Sequence, residues 1–245
     1  KVSIKIYLKM DENDELQNLF LWVRDRLDSR NDKREKILKF SRDITNESKK
    51  VIFSLLRKGI PTEMLLSEAE IKLQFLKKLL SYISEELKEE DAYMFHKSFS
   101  FGVQEFIEAV SLYFFIKNET LIEFDNVCNQ YFIFHGSKSF LFPQDYLGGI
   151  ADLTGELMRV AVNSLGVDDN LNITKICEFA RLVYKQFSVF VSLDPELFRK
   201  VCVMKSSLIK IENTIYILKV RGAELSENFT PTSFQFEMEC PENDI

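Results

Sequence analysis

Glycine and proline are scarce in this chain, and their scarcity limits the folds it can adopt. Only 8 Gly and 5 Pro occur among 245 residues, and neither occurs in the first long segment, from Glu12 to Lys58. A β-sheet protein of this length needs many more turn residues, because strands are short and each one ends in a turn. The composition therefore favours long α-helices.

Apolar residues repeat with a helical period over seven segments between these sparse breaks. The last segment has the clearest limits, because Asp194 is a predicted cap, Pro195 suits the first helical turn and Gly222 ends the pattern. Its apolar residues alternate by four and three, the spacing of a bundle seam. A capping-box sequence predicts that the second helix begins near Ser67. The predicted helices span approximately 12–58, 67–87, 91–117, 120–134, 143–164, 173–190 and 195–221.

The two ends of the chain carry a different pattern. Apolar and polar residues alternate from 1 to 10, and they do so again near Phe234, Phe236 and Met238. A period of two is typical of strands, although extended chain ends fit equally well. We find no linker that would divide the segment between them into two domains. The sequence thus predicts an all-α, single-domain bundle of seven helices at 12–225, an N-terminal arm at 1–11 and a C-terminal tail at 226–245.

Charge and composition narrow the function classes. The net charge is −6, whereas a protein that binds nucleic acid on its own is usually basic, so any RNA contact must be local or shared with a partner. The four cysteines form no CxxC pair, which argues against structural zinc. No apolar run approaches about 18 residues, so we expect no membrane contact. The 22 Phe residues predict either a generous core or a large subunit interface.

Carboxylates occur in pairs in two otherwise uncharged helical segments. Glu105 and Glu108 are the only charges in 101–116, and Asp152 and Glu156 are the only charges in 147–158. Residues three or four apart share one face of a helix, where like charges repel and burial costs desolvation energy. Arginine or lysine partners could compensate this charge, and so could a divalent metal ion. Spacing alone leaves both interpretations open.

The composition of the two pairs limits the choice of metal. No histidine accompanies either pair, and all-oxygen ligands favour a hard ion such as Mg²⁺, for which Mn²⁺ can substitute. Such an ion can activate water and neutralise charge on a phosphate. Gly148, Gly149 and Gly155 weaken the interior of the second segment as a helix, which predicts that another backbone or a substrate comes close.

Both acidic segments resemble those of the TRAX (translin-associated factor X) branch of the translin family. The matching stretches are 101–111, 145–147 and 151–159, and the similarity continues in order over most of residues 25–225. The resemblance implies seven α-helices and assembly with translin into a closed hetero-oligomeric shell. It also implies that four catalytic residues bind Mg²⁺, and that translin itself lacks this set. Carried over by motif, they are Glu105, Glu108, Asp152 and Glu156.

The same resemblance implies an endoribonuclease that cleaves single-stranded RNA inside the shell. Family roles include removal of the nicked passenger strand of small interfering RNA and trimming of tRNA precursors, in the cytoplasm and the nucleus. Glu108 or Glu156 is expected to accept the proton from the attacking water. Two alternatives remain: a non-catalytic RNA-binding subunit, whose acids pair with arginine, and a scaffold that stabilises translin.

Basic residues near these motifs are candidates for RNA contact. Arg42 and Lys49 fall in the first helix, in a stretch that resembles the family, and Arg159 follows Glu156 by three residues. Each could hold a phosphate. The alternatives are a solvated helix face for the first two and an ion pair with Glu156 for the third. His96 is expected to pack or to hydrogen-bond rather than to act as a base.

Overall fold

The computed structural model describes residues 2–87, 92–134, 139–163, 172–190 and 195–221. Within these ranges it contains seven α-helices and no strand, so the all-α prediction is confirmed. A π-helical turn, Cys128–Phe132, follows the short fourth helix, and a 3₁₀ turn, Ser188–Phe190, follows the sixth. The helices are α1 (Val2–Leu55), α2 (Thr62–Leu87), α3 (Ala92–Asn118), α4 (Phe124–Val127), α5 (Pro143–Asn163), α6 (Ile173–Phe187) and α7 (Pro195–Arg221).

Neither the strand nor the extended chain end that the alternation at 1–10 allowed is observed, because α1 already begins at Val2. No glycine or proline interrupts the chain between this stretch and the rest of the helix. Once a helix is nucleated, each added residue gains a hydrogen bond at little cost, so the alternating apolar pattern did not decide the local structure. The boundary at residue 11 stays a prediction, although α1 passes it without a break. The predicted tail at 226–245 lies outside the described residues.

Two other helix limits differ from their prediction. Helix α2 begins at Thr62, and the Ser67 hydroxyl donates to the Met64 carbonyl inside the helix rather than capping its start. Helix α4 begins at Phe124 rather than near residue 120. The preceding helix, α3, ends at Asn118, and the next residue, Glu119, has a left-handed φ of 59°. The predicted cap Asp194 and the terminating Gly222 lie outside the described residues.

Helix α3 is the centre of the bundle. It packs against α1 on one side and α5 on another, while α5 also packs against α7. By length and composition it is the one helix of the described part that could cross a membrane, which the sequence-based expectation missed. Two thirds of that apolar stretch is buried inside the protein, as in the core helix of a soluble bundle.

Much of the phenylalanine packs in the core, the first of the two predicted uses, and no observation tests the second, a subunit interface. Phe99, Phe106 and Phe132 are fully buried, and edge-on ring contacts join Phe106 to Phe132 and Phe132 to Phe140. In contrast, α1 leaves a group of large apolar side chains on the surface. That group, here called the α1 apolar patch, is Leu16, Leu19, Phe20, Trp22 and Leu27.

Candidate functional site

The two acids of α3 lie where this helix is covered on both sides. Glu108 is buried, with only 8% of its surface exposed, and the Glu105 side chain is nearly as well covered. Their neighbours Phe106, Ile107 and Ala109 are fully buried. The packing of α3 between α1 and α5 therefore holds two carboxylates in an apolar environment, as their spacing predicted.

The two acids of α5 are more open. The Asp152 side chain is 43% exposed, and Glu156 is partly exposed. Helix α5 approaches α3 through glycine, since a β-carbon at Gly149 would lie 2.6 Å from the Gln104 carbonyl oxygen and from Ile107 Cβ. A β-carbon at Gly148 would lie 2.7 Å from the Gln104 side chain. The predicted close approach of another backbone is therefore observed at Gly149, while Gly148 packs against a side chain of α3.

Gly155 behaves differently, because a β-carbon there would meet nothing within 4 Å. Packing among the described residues does not require glycine at this position. It lies between Asp152 and Glu156 in the sequence and next to open space, where a substrate or another chain could approach. The sequence offered two explanations for the glycines, close helix packing and the approach of a substrate. Helix packing explains Gly148 and Gly149, and the approach of a substrate or another chain is the explanation left for Gly155.

The four carboxylates share one site, and their charges act on each other. The pKa of Glu108 is raised to about 8, mainly by burial and then by the charges of Glu105, Asp152 and Glu156, while the charge of Lys200 opposes the shift. Burial is also the main reason why the pKa of Glu105 is raised, with the two acids of α5 contributing and Lys49 opposing. Desolvation and like charge together thus make Glu108 the most costly carboxylate of the site to ionise.

Three separate cations compensate part of this charge. Lys49 Nζ lies 3.3 Å from Glu105 Oε1, Lys200 Nζ lies 2.6 Å from Asp152 Oδ2, and Arg159 pairs with Glu156 Oε2. Each pair uses one oxygen of its carboxylate. Among the described residues Glu108 has neither an ion pair nor a hydrogen bond. The ion-pair interpretation therefore accounts for three acids and leaves Glu108, on which Lys200 acts only from a distance, without an ion pair in the described part of the chain.

The donor chemistry of this site fits a hard divalent cation. All four candidate ligands are carboxylates, and Glu108 is a buried acceptor that lacks a partner within the described part of the chain. Magnesium prefers such oxygen ligands and keeps several waters of its own. Across the same residues, no three His, Cys, Asp or Glu side chains lie close enough together to hold a metal ion in their present arrangement. The residues thus fit Mg²⁺ by type and charge.

A polar network ties α5 to α3 next to the acids. The Asp145 carboxylate is fully buried and accepts from Ser100 and, at 3.2 Å, from Gln104 Nε2. His96 Nε2 lies 2.8 Å from its other oxygen, so His96 is a hydrogen-bonding residue, as expected. The sequence marked Asp145 only as part of a motif. Its role as an anchor follows from its burial, which no local pattern reveals.

The predicted RNA-contacting residues lie at two distances from the acids. Lys49 and Arg159 contact the site directly and are more than half exposed. Arg42 is exposed two helical turns before Lys49, where it lines a surface groove with Lys97 and Phe101. Lys49 joins the two areas, since its Nζ lies 6.0 Å from the centre of the Phe101 ring and also reaches Glu105. Lys200 was missed, because only the packing of α7 on α5 brings it to the site.

Relatives of this chain share most of its length. It is 39% identical to translin-associated protein X of Pongo abelii over 87% of this chain and 81% of that protein. The mouse protein of the same name is 38% identical over 85% and 80%. Chicken translin is 28% identical over 53% of this chain and 58% of translin. The similarity to translin-associated protein X is thus both higher and longer than that to translin.

Solved structures share the fold. A crystal structure of apo-NeC3PO superposes with a TM-score of 0.65 at 22% identity, covering 79% of this chain and 94% of that one. A structure of AfC3PO with duplex RNA gives a TM-score of 0.64 at 21% identity, covering 82% and 97%. A profile of the translin family matches residues 32–222. By this match and by its identity to translin-associated protein X, the chain belongs to the translin family.

Proposed function

We propose that this chain is the catalytic subunit of a Mg²⁺-dependent endoribonuclease that it forms with translin and that cleaves single-stranded RNA. The observation that carries the proposal is the buried Glu108, which has no ion pair among the described residues and lies among three further carboxylates. Similarity to translin-associated protein X over 87% of this chain supports it, and so does the structural likeness to AfC3PO, whose structure has been solved with duplex RNA. Nicked passenger strands of small interfering RNA and tRNA precursors are the proposed substrates, in the cytoplasm and nucleus.

Each acid has a part in the proposed reaction. Glu105, Glu108, Asp152 and Glu156 would hold Mg²⁺, for which Mn²⁺ can substitute. When bound, the ion would activate a water molecule and neutralise charge on the scissile phosphate. Glu108 or Glu156 would accept the proton of that water, and Glu108 is the better candidate because no cation in the described residues pairs with it.

The basic residues would hold the RNA across the acids. Lys49 and Arg159 flank the carboxylates from α1 and α5 and are exposed enough to reach a phosphate. Arg42 would bind a phosphate further along the strand, near the exposed Phe101 ring. Because the net charge is −6, these local contacts would supply the RNA affinity together with the partner.

The partner is proposed to cover apolar surface of this chain as well as to contribute to RNA binding. The α1 apolar patch exposes five large side chains on one stretch of helix. Contiguous apolar surface of this kind marks protein interfaces more often than free surface. We therefore assign this patch to contact with another subunit of the translin shell.

The test is a substitution of Glu108 in the assembled complex. Glu108→Ala and the isosteric Glu108→Gln are each assembled with translin and assayed on single-stranded RNA with Mg²⁺ and with EDTA. Glu85→Ala, which removes an exposed acid from α2, is the matched control. We expect cleavage to fall at least 100-fold in both Glu108 variants and to be unchanged in the control.

Assembly and RNA binding decide between the proposal and its alternatives. Size-exclusion chromatography and fluorescence anisotropy should show that the Glu108 variants still form the complex and bind RNA. Cleavage at the wild-type rate by the Glu108 variants would instead favour a non-catalytic RNA-binding subunit or a scaffold, whose acids serve only the three ion pairs. Loss of assembly in the variants would point to the scaffold role.

A further inference from the structure

Lys200 enters the four-acid site from a helix that carries none of the acids. It lies in the second turn of α7, which packs against α5. Lysine side chains are usually exposed, yet that of Lys200 is only 19% exposed. Its covered position distinguishes it from Lys49 and Arg159, which reach the site from the surface.

Two acceptors on α5 hold the Lys200 ammonium group. Nζ donates to Asp152 Oδ2 at 2.6 Å and to the Gly148 carbonyl oxygen at 3.2 Å. Gly148 is one of the two glycines through which α5 contacts α3. The ammonium group is therefore tied both to a candidate ligand and to the backbone at the junction of α3 and α5.

Asp152 is the acid that most needs such a contact. It is the most exposed of the four, so packing restricts its side chain least. Lys200 takes only one of its oxygens and leaves the other free for a metal ion. A partner that hydrogen-bonds a ligand in this way orients it, and loss of such a partner typically lowers metal affinity 10- to 100-fold.

We propose that Lys200 is a positioning residue of the four-acid site, which holds Asp152 in the orientation that binds the divalent cation. This inference rests on the proposed function, because it concerns the same metal. It assigns to α7 a part in a site whose ligands all come from α3 and α5. The opposing effect is charge, since a nearby ammonium group also repels a cation.

The sign of the change in metal affinity separates these two effects. Mn²⁺ binding to the complex with translin is measured by calorimetry for the wild type, Lys200→Met, Lys200→Arg and Lys205→Met. Lys205 is an exposed lysine on the same helix, so its substitution removes one charge away from the site. We expect Lys200→Met to bind Mn²⁺ at least tenfold more weakly, Lys200→Arg to recover most of the affinity, and Lys205→Met to match the wild type.

Two further readouts exclude a merely structural effect. Cleavage by Lys200→Met should recover at high Mg²⁺ concentration, with a raised activation constant and a maximal rate close to that of the wild type. In the background of Asp152→Asn, Lys200→Met should have little further effect on Mn²⁺ affinity, because Lys200 acts through Asp152.

The possible failures are distinct. Equal or tighter Mn²⁺ binding by Lys200→Met than by a wild type that binds Mn²⁺ would overturn the role of Lys200 and leave the proposed function intact. Absence of Mn²⁺ binding in the wild type would overturn both. A maximal rate of Lys200→Met that stays low at every Mg²⁺ concentration would contradict positioning as the role.

Discussion

The acid pair of α3 and the acid pair of α5 carry the same charge at similar spacing, but they lie in different environments. Glu105 and Glu108 are covered on both sides, whereas Asp152 and Glu156 face partly open space. Burial raises the pKa of both α3 acids, and the α5 acids contribute through their charge. The comparison teaches that one pair supplies Glu108, the carboxylate that is most costly to ionise without a nearby cation, while the other pair is partly exposed.

The largest expected effect is a pH dependence that comes from the α3 pair. The pKa of Glu108 is about 8 in the folded protein and 4.5 as its ordinary value. Between these values the folded protein binds more protons than the unfolded chain, so stability is present at low pH and is lost as pH rises towards 8. In EDTA, the free energy of unfolding should fall by up to about 1.4 kcal/mol per pH unit from this group.

Denaturant unfolding at pH 5, 6, 7 and 8 checks this slope. Glu108→Gln should remove it and should be more stable than the wild type at pH 8. Glu156→Gln, the matched variant on α5, keeps Glu108 and should retain most of the slope. An identical pH profile in the wild type and Glu108→Gln would show that burial does not perturb this carboxylate as the geometry indicates.

Divalent cations should offset the stability that is lost when Glu108 ionises. Mg²⁺ at about 100 times its dissociation constant should raise the free energy of unfolding by about 2.7 kcal/mol. At one fixed Mg²⁺ concentration the gain should be greater at pH 8 than at pH 6, because protons compete for Glu108 at the lower pH. Thermal unfolding with and without Mg²⁺ measures it, and Glu108→Gln should lose most of the gain. A uniform Mg²⁺ effect in both proteins would point to binding elsewhere.

The contact between α3 and α5, the helices that carry the two acid pairs, can be broken at Gly149. Gly149→Ala forces a β-carbon against the Gln104 carbonyl oxygen, so α3 and α5 must separate, at a cost of about 1–3 kcal/mol. Gly155→Ala, on the same helix, meets open space and should gain up to about 1 kcal/mol from helix propensity. Urea unfolding compares the two variants, and equal stability of both would contradict the close approach at Gly149.

The smallest expected effect on stability concerns the exposed cations. Arg159→Met should change stability by less than about 1 kcal/mol, since exposed ion pairs contribute little, whereas Lys49→Met should cost more, because it leaves the covered Glu105 without its cation. Each should nevertheless weaken RNA binding and reduce by about one the slope of log affinity against log salt. Fluorescence anisotropy at salt concentrations of about 50 to 200 mM would measure this slope. An unchanged slope would remove both residues from the RNA path.

The sequence predicted the parts of this molecule that depend on local pattern. Seven helices followed from apolar period and scarce breaks, and the four acids followed from two pairs in uncharged segments. The prediction failed where a short sequence motif lay inside a longer stretch that forms a helix. The alternation at 1–10 lost to an uninterrupted helix, and the capping box at Ser67 lost to a helix that begins after Pro61.

The partners of the acids could not be predicted in the same way. Arg159 was within reach of Glu156 by helical spacing, and that pair is observed. Lys200 is 48 residues from Asp152, and nothing in the residues around it distinguishes it from other lysines of α7. Asp145 likewise receives its three contacts from a helix more than 40 residues away.

The sequence by itself determined the helices, the identity of the four acids and the face of the helix on which each pair lies, because these depend on residue type and on spacing of three or four. Only the tertiary structure decided that Glu108 is the acid of the site without an ion pair in the described ranges, that Lys200 contacts Asp152, and that α5 meets α3 at Gly148 and Gly149. The physical reason is that burial and charge compensation depend on which helices pack together, and that packing joins residues distant in the chain.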